Sequence, residues 1–309
     1  MYDVVIAGGG PAGLNAALQL GRAQRGLLLS DGHAPRNPGH TVHGFLTRDG
    51  VRPGELRNLG RQEVGAYPGA ELTDALIVAA HAEDEGGFAV RFSDGRETHA
   101  RKILLATGVA DQLPAIDGLA ELWGVGAFNC PYCSAWEVRG QPLAVIGNDE
   151  MAAMMAVHLT QWSPKVVLCT NGTAGISPEL RMMLQAHEIE AVDAPIRRLD
   201  QEAGVRVHFD GHDPVPTAGV FLHPEFRQHS DLPQQLGCTL QDDGTVQVDD
   251  YGQTGAPGVY AAGDMARKPS MPMPSAHVVN AASNGSMAGV AIDQELATEN
   301  AKARVQQLM

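Results

Sequence analysis

The sequence predicts an α/β protein. A strand–glycine loop–helix–strand unit occupies its first residues, and a second unit of the same kind begins near residue 143. The composition agrees: of 309 residues, 44% are apolar and 19% charged, the balance of a globular chain able to bury a sizeable core.

Taken in order, Tyr2-Asp-Val-Val-Ile-Ala7 is rich in β-branched residues and reads as a buried strand. Gly8-Gly-Gly-Pro-Ala-Gly13 follows, then an Ala/Leu-rich helix to about Arg25 and a strand over Gly26–Asp31. The stretch from Gly32 to Gly54, rich in Gly, Pro and His, reads as a long ordered loop. A helix from Pro53 to about Val64 precedes strands around Glu71–Ala80, Phe88–Phe92 and Lys102–Leu105. The composition shifts near Leu113-Pro114. Beyond it lie Cys130-Pro-Tyr-Cys133, a strand at Leu143–Ile146, a helix from about Glu150 to Gln161 and a strand at Lys165–Cys169. Val246–Asp249 and Gly258–Ala262 read as strands, and Ala276–Leu296 as a terminal helix.

Charge and cysteine usage exclude several function classes. Lysine and arginine number 22 against 36 aspartates and glutamates, a formal charge of −14, which opposes a phosphate-backbone partner, so no nucleic acid is expected. No apolar run reaches about 18 residues, so no membrane span is expected. The apolar N-terminus has no basic stretch ahead of it, which argues against a signal peptide and for a cytoplasmic address. Of the four cysteines, only Cys130 and Cys133 are close in sequence. A lone C-x-x-C in a reducing compartment suggests redox chemistry or half a zinc site. Zinc would need two more ligands at matching spacing, and no metal is expected.

Gly8, Gly10 and Gly13 form G-x-G-x-x-G between strand and helix, with Asp31 at the end of the second strand. The first glycine allows a tight turn, the second lets a pyrophosphate reach the backbone, and the third lets helix and strand pack closely. The helix N-terminus, with Pro11 and Ala12, faces the phosphates, and Asp31 can accept hydrogen bonds from a ribose. A glycine triplet alone could be an ordinary turn; strand, helix and acid together point to dinucleotide binding.

Two further segments favour FAD over NAD. Lys102-Ile-Leu-Leu-Ala-Thr-Gly108 resembles the A-T-G strand end of two-dinucleotide flavoproteins, with Thr107 and Gly108 at its tip. Gly258-Val-Tyr-Ala-Ala-Gly-Asp264 resembles their second FAD signature, in which the aspartate after the glycine, here Gly263-Asp264, holds the ribityl chain. The order of G-x-G-x-x-G, A-T-G, C-x-x-C, a second strand–glycine–helix and G-D resembles low-molecular-weight thioredoxin reductases over essentially the whole chain. A narrower likeness rests on Arg36-Asn-Pro-Gly-His-Thr-Val-His-Gly-Phe-Leu-Thr-Arg-Asp-Gly50 and Asn129-Cys-Pro-Tyr-Cys133. These are similar to a subgroup containing the dithiol oxidases of gliotoxin, holomycin and related disulfides, and many bacterial relatives.

The resemblance implies two Rossmann-like three-layer domains, the second inserted in the first. The FAD-binding domain would comprise residues 1–113 and 234–309, and a pyridine-nucleotide-type domain residues 114–233. It further implies a homodimer, and electrons passed between FAD and a thioredoxin-like protein or small dithiol/disulfide. NADPH or a ferredoxin-type donor would feed a reductase, and oxygen would serve as acceptor for an oxidase. A flavin-bound redox sensor without turnover is the third reading. By resemblance Cys133 is the sulfur next to the flavin and Cys130 the exchanging one. A cysteine at a helix start has a depressed pKa, and i, i+3 spacing lets the pair close a disulfide within one turn. Cys169 and Cys238 are read as inert.

Two departures from the pattern stand out. Thioredoxin reductases carry an acid directly after the second cysteine, and this chain has Ser134, a poor general acid near neutral pH. His277, which aligns with a flavin-contacting glutamine, is one candidate for that role or for a contact to the flavin pyrimidine. After Leu143–Ile146, where the reductases have G-x-G-x-x-A, the chain reads Gly147-Asn-Asp-Glu-Met-Ala152. Asp149 and Glu150 at a helix start repel a pyrophosphate and can cap the helix instead. No basic residue for a 2′-phosphate stands near Thr170-Asn171-Gly172. NADPH is therefore expected to be a poor donor.

Overall fold

The computed structural model describes every residue except His33, Pro38 and Ala203, two of which fall in the loop from Gly32 to Gly54. The chain forms two units. The first comprises Met1–Arg36, Arg52–Ala110 and Arg227–Met309, the second Asn37–Val51 and Asp111–Phe226.

In the first unit, a parallel sheet orders its strands Ala70–Thr73, Leu27–Ser30, Tyr2–Ala7 and Glu97–Leu105. Val259–Ala261 then pairs in parallel with Ile103–Leu105, while Phe88–Phe92 and Ile77–Ala82 extend the other part of Glu97–Leu105 antiparallel. Leu27–Ser30 is buried throughout, as a strand covered on both faces must be. The segment read as one strand over Glu71–Ala80 is two, because the chain breaks at Asp74–Leu76, where Leu76 N–H donates to Ser93 Oγ at 3.1 Å.

Helix Pro11–Arg22 starts on a proline, whose missing N–H costs nothing there, and ends where Gln24 turns to φ 60°. Against it packs the terminal helix Val278–Leu308, longer than the Ala276–Leu296 expected, through Ala281, Gly285, Ala288, Gly289 and Ile292. This stripe is so close that a Cβ on Gly285 would lie 1.9 Å from Ala12 O. The same helix covers the buried Lys102, whose ammonium pairs with Glu295 at 2.7 Å and with Glu299. A buried cation is tolerable only with such partners. No helix among the described residues is long and apolar enough to cross a membrane.

The second unit holds a five-stranded parallel sheet in the order Glu190–Val192, Val166–Cys169, Leu143–Ile146, Gly219–Leu222, Ala127–Phe128. Helices Glu150–Leu159 and Pro178–Ala186 pack on it through Ala153, Ala156, Leu159, Leu180 and Leu184. A three-stranded antiparallel sheet, Ile196–Gln201, Val205–Phe209 and Val215–Thr217, adds the other side of the core with Leu199, Val205 and Val207. Each unit is thus a Rossmann-like α/β layer structure.

Candidate active site

In the first unit, the residues expected at the cofactor converge at the carboxyl ends of the parallel strands, the place where such sheets bind ligands. Gly8 has φ 112°, and a Cβ there would lie 2.2 Å from Ala106 O; a Cβ on Gly13 would lie 1.9 Å from Gly8 O. Both must be glycine for reasons internal to the protein. Gly10 is different. Its backbone is extended (φ −77°, ψ −176°), and an added Cβ would meet nothing within 4 Å. Neither strain nor packing explains its lack of a side chain, whereas a pyrophosphate lying against the backbone does. The helix that Gly10 precedes takes no side-chain cap and has no acid in its first turn. These residues fit FAD phosphates, since a helix N-terminus without a side-chain cap leaves amide donors that an anion can take.

The other predicted cofactor residues surround the same loop. A Cβ on Gly9 would overlap Asp31, and one on Gly263 (φ 80°) would touch Ala12 Cβ at 3.0 Å. Thr107 N and Oγ1 lie 3.2 and 3.3 Å from Met265 Sδ, beside Asp264. Gly108 turns at φ 67°. The buried Asp31 carboxylate accepts from Arg57 Nε and Arg61 Nη1, both at 2.7 Å, and again from Arg57 Nη2. Asp264 accepts from Arg36 Nη1 at 2.9 Å. Arg36 opens the stretch that carried the narrower likeness, whereas Arg57 and Arg61 were not among the residues the sequence singled out. His277 stands at the N-cap of Val278–Leu308 in this unit, with its N–H on Ser275 O at 2.9 Å.

In the second unit, Cys130 is the N-cap of the short helix Pro131–Ser134, and Cys133 N–H donates back to Cys130 O at 3.2 Å. Both cysteines are half-buried. Cys169 and Cys238 are buried, and burial pushes both thiols up, Cys169 to about 12. The structure therefore separates one accessible dithiol from two inert sulfurs.

Around the dithiol stand residues the sequence reading missed. Ser134 is buried, and its Oγ lies 3.4 Å from Nδ1 of His40. His40 packs edge-on against Phe128, with ring centroids 5.1 Å apart, and a Cβ on Gly124 would meet its Cδ2 at 3.3 Å. His43, three residues on, lies 3.4 Å from Glu137 Oε1 through Nε2 and 3.4 Å from Asp49 Oδ1 through Nδ1. Both histidines belong to the Arg36–Gly50 stretch, of which Pro38 lies outside the described residues. The available signal was Ser134 itself: where an acid is missing, its replacement must come from another segment.

The second glycine loop is built differently from the first. Asp149 is the N-cap of Glu150–Leu159, and its carboxylate accepts from Ala152 N–H at 2.9 Å. Glu150 accepts from Ser177 N–H at 2.7 Å. In the loop after Val166–Cys169, Asn171 Oδ1 takes Ile196 N–H at 2.7 Å, and Thr170 Oγ1 donates to Asp193 Oδ1 at 2.9 Å. One cation does reach this loop, from further along the chain: Arg181 Nη2 donates to Ala174 O at 3.1 Å.

Comparison with known proteins agrees with this geometry. A probable thioredoxin reductase of Arthroderma benhamiae is 30% identical, over 98% of this chain and 82% of its own. Thioredoxin reductase aclD of Aspergillus oryzae is 31% identical over 96% and 97%. The crystal structure of HlmI superposes with a TM-score of 0.90 at 37% identity, covering 99% of this chain and 96% of its own. A putative thioredoxin reductase TrxB from Bacillus anthracis gives 0.88 at 34%, covering 97% and 100%. The family described as pyridine nucleotide-disulphide oxidoreductase matches residues 2–289. With two Rossmann-like units, a flavin-type loop and an accessible dithiol, the chain belongs to that family, as a thioredoxin reductase-like, flavin-dependent disulfide oxidoreductase.

Proposed function

We propose that Cys130 and Cys133 are the redox-active pair, passing electrons between FAD and a substrate dithiol/disulfide, with NADPH a poor donor. The observation that carries this reading is the contrast between the half-buried dithiol at a helix start and the two buried, high-pKa thiols elsewhere. FAD, when bound, supplies the two-electron carrier. Gly8, Gly10, Pro11, Ala12, Gly13, Asp31, Thr107, Gly108, Gly263, Asp264 and His277 would hold it, within a flavin domain of residues 1–113 and 234–309 around a dithiol domain of 114–233. Cys133 would be the sulfur serving the flavin and Cys130 the one exchanging with a thioredoxin-like protein or small disulfide, in a cytoplasmic homodimer.

The Asp149 cap favours a second version of this chemistry. If a pyridine nucleotide is refused at that helix start, electrons must enter from elsewhere: a ferredoxin-type donor, or the substrate thiols themselves, with oxygen as the final acceptor. The test is anaerobic mixing of the yellow protein with NADPH, NADH or dithiothreitol while the flavin band is followed. Bleaching by dithiothreitol and not by the nucleotides supports the proposal; rapid bleaching by NADPH means a conventional reductase.

A further inference from the structure

Thiol–disulfide exchange moves protons as well as electrons. An attacking thiol must lose its proton, and the sulfur that leaves must gain one. Ser134 cannot serve near neutral pH, since its hydroxyl neither gains nor loses a proton there. A buried serine hydroxyl beside a reactive pair can, however, hydrogen-bond a group that does.

We propose that His40 is the proton carrier for exchange at Cys130, seated by Ser134 and Phe128. The proposal rests on the reading of Cys130 as the exchanging sulfur. His40 is held on several sides. Its Nδ1 meets Ser134 Oγ at 3.4 Å, its ring edge packs on Phe128, and Gly124 (φ 86°) leaves room for its Cδ2. Its backbone N–H donates to Asn37 O at 3.2 Å, and Asn37 Oδ1 accepts from Trp123 Nε1 at 3.0 Å. The charged and titratable groups around it are Cys130, His43 and Glu137. Burial lowers its pKa below the ordinary imidazole value, and His43 pushes the same way; a negative Cys130 or Glu137 pulls it back up. The net shift is downward, so His40 is neutral near neutral pH and able to accept a proton. A thiolate forming at Cys130 as that sulfur leaves interacts with the imidazolium, which is then placed to return the proton to it.

A substrate thiol gives its proton to His40, and its sulfur attacks Cys130 Sγ. The Cys130–Cys133 bond breaks, and Cys133 leaves as the thiolate with the electron pair. The second substrate sulfur, its proton lost to solvent, attacks the first; Cys130 leaves and takes the proton from His40. The substrate dithiol is oxidised to a disulfide, and two electrons reside on the Cys130–Cys133 pair. The reverse sequence reduces a substrate disulfide.

The test uses FAD-loaded protein and dithiothreitol as the dithiol, with anaerobic exchange rates measured between about pH 5 and 9. His40→Gln should retain its flavin spectrum and exchange on the order of 100-fold more slowly near neutral pH. The ratio of wild-type to variant rates should fall toward one on the acid side, where His40 is already protonated. A second measurement needs no variant: alkylation of Cys130 in the reduced wild-type protein should show two titrations, its own and a lower one from His40. A His40→Gln rate near wild type at every pH, or a single alkylation titration, overturns the proposal. Cys130→Ser separates the two levels. If Cys130→Ser still exchanges with dithiothreitol, the dithiol reading itself fails; if it is inactive and His40→Gln is not impaired, only the role of His40 falls.

Discussion

Cys130 and Cys169 are the same side chain in two surroundings. Cys169, 0% exposed on the strand Val166–Cys169, would have to place a thiolate in an apolar core, and its pKa rises accordingly to about 12. Cys130 is half-buried at a helix start. Iodoacetamide at mildly alkaline pH should therefore label Cys130 and Cys133 in the reduced native protein and leave Cys169 and Cys238 unlabelled until it is unfolded, as peptide mass mapping can check. Labelling of Cys169 at a comparable rate would contradict the burial argument. Of the two reactive positions, Cys133→Ser should remove any long-wavelength absorbance of the reduced enzyme, and Cys130→Ser should keep it while abolishing exchange; the opposite pattern reverses the assigned roles. The C-x-x-C was legible because its chemistry is written in four consecutive residues. His40 was not, because 94 residues separate it from the serine it meets.

At the scale of elements, the parallel strands were legible as short apolar runs, Val4–Ala7 in a segment rich in β-branched residues and Leu143–Ile146 above all. The short strands Ile196–Gln201, Val205–Phe209 and Val215–Thr217 were not, since an antiparallel sheet with one wet face mixes polar and apolar residues over spans too short to show a period. The first glycine loop was legible in kind; only the structure tells its glycines apart. Because a Cβ on Gly10 meets no protein atom, Gly10→Val should fold and yet elute without flavin. A normal far-ultraviolet circular dichroism spectrum with no absorbance in the flavin band is the expected result, and stoichiometric FAD in this variant refutes the loop's role. Gly285 gives the converse case. Alanine in a helix interior normally gains up to about 1 kcal/mol over glycine. Here its methyl would lie 1.9 Å from Ala12 O on the helix Pro11–Arg22, where backbone cannot yield as a side chain would. Overpacking of this kind costs roughly 1–3 kcal/mol. Thermal unfolding of Gly285→Ala should thus show a lower Tm than wild type, against the sign that helix propensity alone would give.

The whole molecule carries two glycine loops, and their helix starts differ in charge. The first, at Gly10, leaves its helix N-terminus without a side-chain cap; the second, after Gly147, is closed by the carboxylate of Asp149. A pyrophosphate needs bare backbone N–H groups and brings two negative charges. Asp149 already occupies the Ala152 N–H at 2.9 Å and puts a carboxylate at that helix start. Two like charges about 4 Å apart repel by about 4 kcal/mol at an effective dielectric of about 20, and by about 1 kcal/mol in bulk water. Asp149 is exposed, so the true figure lies between, a loss in affinity of roughly 5-fold to several hundred-fold. The hydrogen bond that must be broken adds to this, while Arg181, a cation that reaches the neighbouring loop, is engaged at Ala174 O. NADPH and NADH at micromolar concentration should therefore reduce the flavin slowly in anaerobic stopped-flow, with dithiothreitol bleaching it readily. Asp149→Gly, which removes both carboxylate and cap, should speed reduction by the nucleotides and leave reduction by dithiothreitol as it was. Fast reduction of the wild-type protein by either nucleotide, or an Asp149→Gly variant no faster than wild type, would show that this carboxylate does not guard the second loop.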